Sequence, residues 1–405
     1  MQFGVLNLGF MTMFLNEQVG VPADLAPGRG QINIAKKILI VGAGAIGRGY
    51  LPWLFSPDEY DLIFIDADPR VVSLMRQTGH YVTYRVRDGG LEQRRVRVHA
   101  AYTPSEFRSV DHTDAVACFF NVGPRNVAQA AEHFKGTTIP LILCENEPVT
   151  VDMVKGVVGH DRVYFAVPDV ITSNTAPDYL LEMDPLSVVT EDGSLFIQEG
   201  PDEIRGSITF LPAKQLFDIQ WIAKLYLHNT PHCIAAYLGA YVGATYIHEA
   251  MLVPQIDTVV QGAFAEMLKA LKMQSDVPHD FLQWYADKEL ARFRCKQLFD
   301  PVSRVAREPM RKLEIHGRLL GAAQKCLSLG IVPENILIGI TAASMFENSD
   351  DPDHHLAFLQ RLLPRDLFNT YILGLRSGEP LDLLMREQIE HIIARLEAFP
   401  KMNRT

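Results

Sequence analysis

The pattern of apolar and polar residues along the chain changes near residue 212. Before that point, short continuous apolar runs rich in β-branched and aromatic residues are separated by polar and glycine-rich stretches. Such runs are typical of parallel strands that are buried on both faces. The five runs are 38–41, 61–65, 115–120, 140–144 and 163–167. The stretch 186–210 alternates instead, and Asp192-Gly193 within it is a hairpin signal, so we predict antiparallel strands that close the first domain there.

After residue 212, long amphipathic stretches follow one another, as in 256–273, 278–293 and 381–396. The pattern therefore predicts an α/β domain with a parallel sheet at 36–212, followed by a mostly α-helical C-terminal domain at 213–405. Residues 1–35 are expected to be a flexible N-terminal extension outside the fold. Their apolar start has no basic residue before Arg29, so it lacks the positive region of a secretory signal.

A glycine-rich turn, Gly42-Ala-Gly44-Ala-Ile-Gly47, follows the first apolar run. A helical pattern comes next, and the second apolar run ends in Asp66, 19 residues after Gly47. This order of strand, turn, helix, strand and acid is the dinucleotide-binding fingerprint of a Rossmann-type domain. Asp66 can accept hydrogen bonds from a ribose with free hydroxyls, which favours NAD over NADP. The alternative is a glycine-rich turn that binds nothing. The cofactor-binding residues predicted here are Gly42, Gly44, Ala45, Ile46, Gly47 and Asp66.

The loops after the later strands are candidate walls of a nicotinamide pocket, because ligands of open α/β sheets gather at the carboxyl ends of the strands. They add Val122, Gly123, Glu145 and Asn146 to the predicted cofactor residues. Ordinary turn chemistry explains each loop equally well when it is taken alone.

The overall charge is negative, with 38 Lys and Arg against 48 Asp and Glu and a formal net charge of −10. A general nucleic-acid binder needs a basic surface, so that class is excluded. Five widely spaced cysteines without a CxxC pair support neither a disulfide framework nor a zinc site, and we expect a cytoplasmic protein without a metal. The uncharged stretch 225–247 has the length of a membrane span, but His228, Asn229 and Pro231 would be costly in lipid. We therefore interpret it as a buried core helix and expect no membrane partner.

Lys224, Asn229 and His232 are the candidate catalytic residues. Asn229 and His232 lie three residues apart and share a helix face, whereas Lys224 lies about two turns before His232 along a regular helix. Pro231 offers a bend that would bring Lys224 to the same point, or it begins a new helix with Thr230 as its cap. A partly buried lysine can act as a general base toward a hydroxyl, while Asn229 and His232 donate hydrogen bonds to the forming alkoxide. A core helix with a few satisfied polar residues is an equally good interpretation of the composition alone.

The spacing Lys224-x4-Asn229-x2-His232 resembles the signature of the polyol-specific long-chain dehydrogenases, which are zinc-independent and NAD(P)-linked. Further strings, which follow one another over most of the chain, resemble the mannitol-1-phosphate 5-dehydrogenase branch of that family. They are Gly42-Ala-Gly-Ala-Ile-Gly-Arg-Gly49, Cys144-Glu-Asn146, Asp184-Pro-Leu186, Asn229-Thr230, Ala236-Tyr-Leu-Gly239, Arg304-Val-Ala-Arg-Glu-Pro-Met-Arg-Lys-Leu313 and Asp350-Asp-Pro352. The chain departs from the family pattern at Pro231, where glycine is usual, and in the stretch after Gly239.

The resemblance implies a Rossmann-type domain followed by a helical domain, with the site between them, and hydride transfer from a polyol carbon to NAD. Lys224 carries over as general base and acid, and Asn229 and His232 as the residues that polarise the reacting oxygen. The implied substrates are D-mannitol 1-phosphate and D-fructose 6-phosphate. The first alternative is a dehydrogenase of an unphosphorylated polyol or of a sugar acid, either a hexuronate or an aldonate. An alternative of another class is a non-catalytic NAD-binding regulator, although a regulator needs no base such as Lys224.

A basic run at 292–318 contrasts with the overall acidity, since it holds eight Lys and Arg against three Asp and Glu. Arg and Lys at this density could clamp a phosphate or carboxylate. The alternative is a solvated helix face with surface ion pairs of little energetic consequence. Together with the family resemblance, the run predicts that the substrate anion is bound by some of Arg304, Arg307, Arg311 and Lys312.

Overall fold

The computed structural model describes residues 35–402, with the exception of 88, 174–175, 199, 202–203, 205–207, 212–213 and 275–276. Two compact units are distinguished within the chain, Met1–Phe217 and Asp218–Thr405. The extension predicted at 1–35 lies, through residue 34, outside the described residues, and so do the two residues that flank the predicted boundary, 212 and 213. Among the helices described, none combines the length and the apolar character that crossing a membrane requires.

The first unit is built on strands. They are β1 (Lys36–Val41), β2 (Tyr60–Ile65), β3 (His80–Arg87), β4 (Gly90–Arg97), β5 (Ala100–Tyr102), β6 (Ala115–Phe120), β7 (Leu141–Leu143), β8 (Val163–Asp169), β9 (Val188–Glu191), β10 (Ser194–Ile197) and β11 (Thr209–Phe210). Among the described residues, eight of them form one sheet in the order β11-β10-β8-β7-β6-β1-β2-β5. All neighbours from β5 to β8 are parallel, and β10 is antiparallel to β8. The predicted α/β fold with a mainly parallel sheet is confirmed.

Apolar side chains cover both faces of this sheet. Along β1, Ile38 and Ile40 belong to one core cluster, and Leu39 and Val41 belong to the other. All four are buried. A strand buried on both faces has no solvent side for polar residues, so its sequence is a continuous apolar run.

The carboxyl ends of three strands meet around β1. The N–H of Gly42 donates to the carbonyl of Ile65 at the end of β2, and the N–H of Asn121 after β6 donates to the carbonyl of Val41, both at 2.8 Å. Because β2 and β6 lie on opposite sides of β1, the order of strands reverses here. Such a switch point is where open α/β sheets bind their ligands.

The helices of the first unit are short. In the described residues they are α1 (Ala45–Tyr50, a π-helix), α2 (Pro69–Thr78), α3 (Pro104–Phe107), α4 (Val127–Ala131), α5 (Thr150–Val158) and α6 (Asp178–Leu181), and α7 (Lys214–Ala223) contains the division between the units. Gly79 and Gly159, both in the left-handed conformation, end α2 and α5. Glycine stops a helix in this way because it adopts positive φ without strain.

A second, smaller sheet has the strand order β4-β3-β9. The antiparallel pair β3 and β4 was not predicted, and β9 pairs with β3 in parallel. The hairpin predicted at Asp192-Gly193 is wrong, because β9 and β10 on either side of it belong to different sheets. A Cβ atom at Gly193 would lie 2.5 Å from the carbonyl oxygen of Asp169 at the end of β8. The glycine therefore permits the chain to pass close to β8, and it does not form a hairpin turn.

The second unit consists mainly of helices, as predicted. The described α-helices are α8 (Thr230–Val242), α9 (Ile247–Ala250), α10 (Pro254–Gln274), α11 (His279–Phe293), α12 (Val302–Ala306), α13 (Pro309–Lys312), α14 (Leu320–Ser328), α15 (Glu334–Ser344), α16 (Leu356–Leu362), α17 (Arg365–Leu367) and α18 (Pro380–Glu397). Two π-helical segments, Lys224–Asn229 and Phe368–Ile372, accompany them. Every residue of α8 from Thr230 to Gly239 is buried. A helix that is covered on all sides is a core helix, which agrees with the interpretation of 225–247.

Candidate active site

Two glycines of the turn after β1 are fixed by close contacts within the protein. Gly42 has a φ of +91°, and a Cβ atom there would lie 2.5 Å from the carbonyl oxygen of Asn121. A Cβ atom at Gly47 would lie 2.0 Å from the carbonyl oxygen of Gly42. Real Cβ atoms do not approach oxygen so closely, so both positions exclude a larger residue.

Gly44 is different, because no atom of the described residues lies within 4 Å of where its Cβ would be. Packing inside the protein does not require glycine here, so any such requirement comes from a ligand that approaches the backbone. Gly44 is also the N-cap of α1, and the half-buried Ala45 and Ile46 are the first residues of that helix. The turn thus has the shape that the close approach of a dinucleotide pyrophosphate needs.

Asp66, directly after β2, ties the turn to the start of the next helix. Its Oδ2 accepts the N–H of Ala43 at 2.6 Å, and its Oδ1 accepts the N–H of Asp68 at 2.8 Å. Each carboxylate oxygen has a second lone pair. The carboxylate can therefore hold the turn and still accept hydrogen bonds from a ribose.

A cavity of about 570 Å³ lies next to Asp66 in the chain. Its walls come from the loop after β2, the loop after β5 and α4, and they include Ala67, Pro69, Thr103 and Gln129. The volume is within the range of small-molecule sites.

Glu145 holds the loop that follows β6. This residue is buried, and its Oε1 accepts the N–H groups of Val122 at 2.9 Å and Gly123 at 3.0 Å. Asn146 lies beside it in the chain and is exposed. The structure therefore brings Val122, Gly123 and Glu145 together. The backbone N–H groups of Val122 and Gly123 are already hydrogen-bonded to Glu145. Asn121 was not among the predicted cofactor residues, yet its Oδ1 is buried without a hydrogen-bond partner among the residues described.

In the second unit, Lys224 and Asn229 are the two ends of one π-helical segment that continues directly into α8. Residues five apart in a regular α-helix are separated by about 1.4 turns and point toward opposite sides. The i→i+5 hydrogen bonds of a π-helix place such residues about one turn apart instead. His232 lies in the first turn of α8, on the face of Asn229. The π-helical turn therefore places Lys224 nearer to the helix face of Asn229 and His232 than a regular α-helix would.

Pro231 lies at the junction of the π-helix and α8, where its missing N–H breaks the regular hydrogen-bond ladder. Thr230 is the first residue of α8, and its hydroxyl donates to the carbonyl of Leu225 at 3.3 Å and to that of Arg318 at 2.5 Å. The alternative in which Thr230 caps a new helix does not hold, because the chain is already helical before Thr230.

Lys224, Asn229 and His232 are all buried, with exposed fractions of 5%, 5% and 6%. The amide Nδ2 of Asn229 is buried and has no hydrogen-bond partner among the described residues. A buried donor without a partner costs about 1–3 kcal/mol. Such a donor is readily explained if an oxygen atom of a ligand accepts its hydrogen bond.

Two histidines of this segment each contact a buried carboxylate. Nε2 of His232 lies 2.7 Å from Oδ2 of Asp300, and Nδ1 of His228 lies 2.5 Å from Oε2 of Glu289. The two imidazole rings are 4.9 Å apart. The sequence analysis missed both carboxylates because they lie 68 and 61 residues from their histidines. Within the described residues, no group of three or more His, Cys, Asp and Glu is arranged to hold a metal ion.

The pair formed by His228 and Glu289 has a defined charge. Burial lowers the pKa of His228 to about 4, although Glu289 acts in the opposite direction. Burial alone would raise the pKa of Glu289, but Arg292, Lys288 and His228 together lower it to about 2. At neutral pH the pair is therefore a neutral imidazole that donates its Nδ1–H to an ionised carboxylate.

The predicted substrate-anion residues have different surroundings. The Arg304 guanidinium donates to Asp300. Lys312 is buried, its Nζ donates to the carbonyl of Arg307, and burial lowers the pKa of its ammonium to about 7. The side chain of Arg307 is exposed. The side chain of Arg307 therefore lies at the surface, whereas Arg304 and Lys312 already donate hydrogen bonds to protein atoms.

Arg311 lies next to a tightly held turn. Its Nη2 is 3.2 Å from Oε2 of Glu308, a residue that adopts a left-handed φ of +55°. The N–H groups of Glu308 and Met310 donate to the carboxylates of Asp351 and Asp353, both at 2.9 Å. Two chain segments that carry the family resemblance, 304–313 and 350–352, are therefore held together.

Residues 221–359 match the family model of the mannitol dehydrogenase C-terminal domain. Mannitol-1-phosphate 5-dehydrogenases from Caldanaerobacter subterraneus and Clostridium acetobutylicum are 29% and 27% identical to the chain over 338 and 339 residues. These matches cover 78% of this chain, and 87% and 88% of the two relatives. The segment 221–359 is therefore similar to the C-terminal domain of mannitol dehydrogenases, and most of the chain is similar to mannitol-1-phosphate 5-dehydrogenases. The resemblance identified from the sequence is thereby confirmed.

Solved structures show the same fold as this chain. Pseudomonas fluorescens mannitol 2-dehydrogenase, solved as a ternary complex with NAD and D-mannitol, gives a TM-score of 0.70 at 14% identity over 90% of this chain and 92% of that chain. A substrate-free D-sorbitol dehydrogenase gives a TM-score of 0.60 at 12% identity over 91% of this chain and 96% of the other. These likenesses confirm the fold that the family resemblance implied.

Proposed function

We propose that the chain is an NAD-dependent polyol dehydrogenase that interconverts D-mannitol 1-phosphate and D-fructose 6-phosphate. The observation that carries this proposal is the buried group of Lys224, Asn229 and His232, in which Nδ2 of Asn229 has no partner among the described residues. Oxidation of an alcohol needs a base beside hydrogen-bond donors, since a proton leaves the oxygen as a hydride leaves the carbon. The similarity of residues 221–359 to the C-terminal domain of mannitol dehydrogenases supports the same chemistry.

NAD fits the turn after β1. Gly42 and Gly47 admit no side chain, and the position of a Cβ at Gly44 is open. Asp66 offers its carboxylate to the ribose hydroxyls and would repel a 2′-phosphate, which disfavours NADP. When bound, the nicotinamide takes a hydride from the alcohol carbon or returns it to the ketone.

Lys224 moves the proton in this account. In the proposed reaction, Nζ takes the proton of the reacting hydroxyl and returns it in the reverse direction. Asn229 donates from Nδ2 to the same oxygen, and His232 donates from its ring. The lysine and the donors together supply the proton transfer and the charge stabilisation, so the proposed reaction includes no metal ion.

We assign the substrate phosphate to the basic run that includes Arg304, Arg307, Arg311 and Lys312. Arg307 is its exposed member, and the other three surround it in the sequence. A positive segment in an otherwise acidic chain favours an anionic substrate. Both relatives described above are named as dehydrogenases of a sugar-alcohol phosphate.

A dehydrogenase of an unphosphorylated polyol is the second candidate. Three of the four basic residues already contact protein atoms: Arg304 contacts Asp300, Arg311 contacts Glu308, and Lys312 contacts the backbone of Arg307. Those contacts would explain the charges without any phosphate. The fold is also that of an enzyme solved with D-mannitol itself.

Steady-state reduction of fructose 6-phosphate, fructose and a hexuronate, each with NADH and with NADPH, tests the proposal. We expect the highest kcat/KM for fructose 6-phosphate with NADH. The variant Arg307→Ala should raise KM for fructose 6-phosphate and leave the weaker reaction with fructose unchanged. A preference for fructose or the hexuronate would overturn the phosphate assignment, and the absence of any turnover would overturn the enzyme assignment.

A further inference from the structure

The ring of His232 is held from two directions. It stacks on Phe293 with the ring centroids 4.9 Å apart and the planes at 13°. Its Nε2 lies 2.7 Å from Oδ2 of Asp300. The stacking fixes the plane of the ring, and the carboxylate fixes which edge of the ring faces the protein. Because Asp300 contacts Nε2, the other ring nitrogen, Nδ1, is the one left for a substrate to meet.

Asp300 is itself firmly held. It is buried, its Oδ1 accepts from Nε of Arg304 at 3.1 Å, and its backbone carbonyl accepts the N–H of Ile247 at 2.9 Å. Burial alone would raise the pKa of Asp300, but the charges of Arg304 and His232 outweigh it and hold that pKa well below its usual range. Asp300 is therefore an ionised acceptor at any working pH, and an acceptor on Nε2 requires that Nε2 carry the proton.

We propose that Asp300 is a positioning residue of this enzyme, which keeps the proton of His232 on Nε2 and so makes Nδ1 the nitrogen that meets the reacting oxygen. Arg304 has a structural part in this arrangement, because it anchors the carboxylate. The inference rests on the proposed function, since it assigns His232 to the oxygen of the substrate.

The fixed proton decides how His232 can act. With Nε2–H bound to Asp300, Nδ1 of a neutral ring can only accept a hydrogen bond. The donation to the reacting oxygen described above therefore requires that Nδ1 take up the ring's second proton from solvent, which makes the ring an imidazolium. The negative charge of Asp300 balances that positive charge. The neighbouring His228 does not oppose it, because burial keeps the pKa of His228 at about 4 and that ring is uncharged near neutral pH. The two histidines thus have different parts, although they lie one helical turn apart.

The variant Asp300→Asn removes the negative charge of the side chain and keeps its size and shape. An asparagine can turn its NH2 toward Nε2, and the proton of His232 then moves to Nδ1, as in the serine-protease triad when its aspartate becomes asparagine. The matched control is Asp382→Asn, because Asp382 is also buried and paired with an arginine four residues later, Arg386. Its other hydrogen bonds come from Asn369 and from the N–H of Gly378, and not from a histidine. Asp382 takes no part in the proposed reaction.

Two readouts test the inference in the full-length protein. The ¹⁵N chemical shifts of labelled histidine, assigned with His232→Gln, report which nitrogen of His232 is protonated. Steady-state kinetics with fructose 6-phosphate and NADH report turnover. We expect Nε2–H in the wild type, a shift toward Nδ1–H in Asp300→Asn, and a fall in kcat of about 100-fold with NADH binding unchanged. Asp382→Asn should lower the free energy of unfolding and leave both readouts as in the wild type.

Several outcomes would overturn the inference. They are a wild-type His232 without a proton on Nε2, an unchanged tautomer in Asp300→Asn, and a kcat of that variant within about twofold of the wild type. The wild-type spectrum decides the matter even if Asp300→Asn does not fold. If the wild type turns over no substrate at all, the proposed function fails, while the tautomer still shows whether Asp300 controls His232.

Discussion

Lys224 and Asn229 are the first and last residues of one π-helical turn. This relationship brings a lysine and an amide about one turn apart, whereas an α-helix would direct them toward opposite sides. His232 then continues the same face at the start of α8. Pro231 favours the irregularity because it cannot donate the hydrogen bond that a regular helix needs at that position. The proposed chemistry therefore depends on a local departure from α-helical geometry.

Replacing Lys224 tests its role as the base. The variant Lys224→Met keeps most of the side-chain volume but cannot accept a proton, so we expect kcat to fall by about 100-fold or more. NADH binding should not change, because the glycine-rich turn lies in the other unit. The control is Lys269→Met, at an exposed lysine of α10. Turnover by Lys224→Met at the rate of the control would contradict the assignment.

The three glycines of the turn should respond differently to alanine. A Cβ at Gly47 meets the Gly42 carbonyl at 2.0 Å, so Gly47→Ala should lower the free energy of unfolding and weaken NADH binding. Gly44→Ala meets no described atom, so it should keep the stability and weaken NADH binding alone. Urea unfolding and fluorescence titration with NADH measure the two effects.

Gly156→Ala is the control for these glycines. Gly156 lies within α5, and no described atom is within 4 Å of where its Cβ would be, so alanine should stabilise the helix by about 0.5–1 kcal/mol. It should leave NADH binding unaffected. If Gly44→Ala binds NADH as tightly as this control does, the turn is not the pyrophosphate site.

Asp66 should determine the choice between NAD and NADP. The variant Asp66→Asn removes the charge that would repel a 2′-phosphate, and we expect the ratio of kcat/KM for NADPH to that for NADH to rise by about tenfold. Asp68→Asn is the matched control, because asparagine can replace aspartate as the N-cap of α2. An equal ratio in the two variants would show that Asp66 does not select the cofactor.

The stability of the protein should depend on pH through Lys312. Burial lowers the pKa of this lysine from 10.5 to about 7 in the folded state, so the unfolded chain binds more protons between these values. The free energy of unfolding therefore gains a contribution that grows with pH, by up to about 3 kcal/mol between about pH 7 and 9.5. Lys312→Met should lose this contribution, whereas Lys269→Met should keep it. Chemical unfolding at several pH values measures it, and parallel curves for the wild type and Lys312→Met would refute it.

Sequence patterns predicted the parts of the fold that are locally determined. The strands around β1 are continuous apolar runs because both faces are buried, and the glycines mark positions where a Cβ would collide. The pair β3 and β4 escaped detection because its many arginines obscure the alternation. The partner of β9 is β3, about a hundred residues earlier, and no local pattern specifies such a pairing.

The sequence predicted the residues of the candidate site, but not the geometry that relates them. The spacing of Lys224, Asn229 and His232 is visible in the sequence, but the π-helical turn that relates them depends on hydrogen bonds and not on residue type. Asp300 was not among the residues predicted for the site. Its contact with His232 arises from tertiary packing across 68 residues, so only the structure reveals it.

Transfer of deuterium from [4,4-²H2]NADH, which carries the label on both faces of the nicotinamide, to fructose 6-phosphate tests the central claim most directly. We predict that the wild type forms a hexitol phosphate that carries one deuterium on the carbon that was the ketone, as detected by mass spectrometry. Lys224→Met should bind the labelled cofactor and form none. A wild type that binds NADH but yields no deuterated hexitol phosphate would contradict the account.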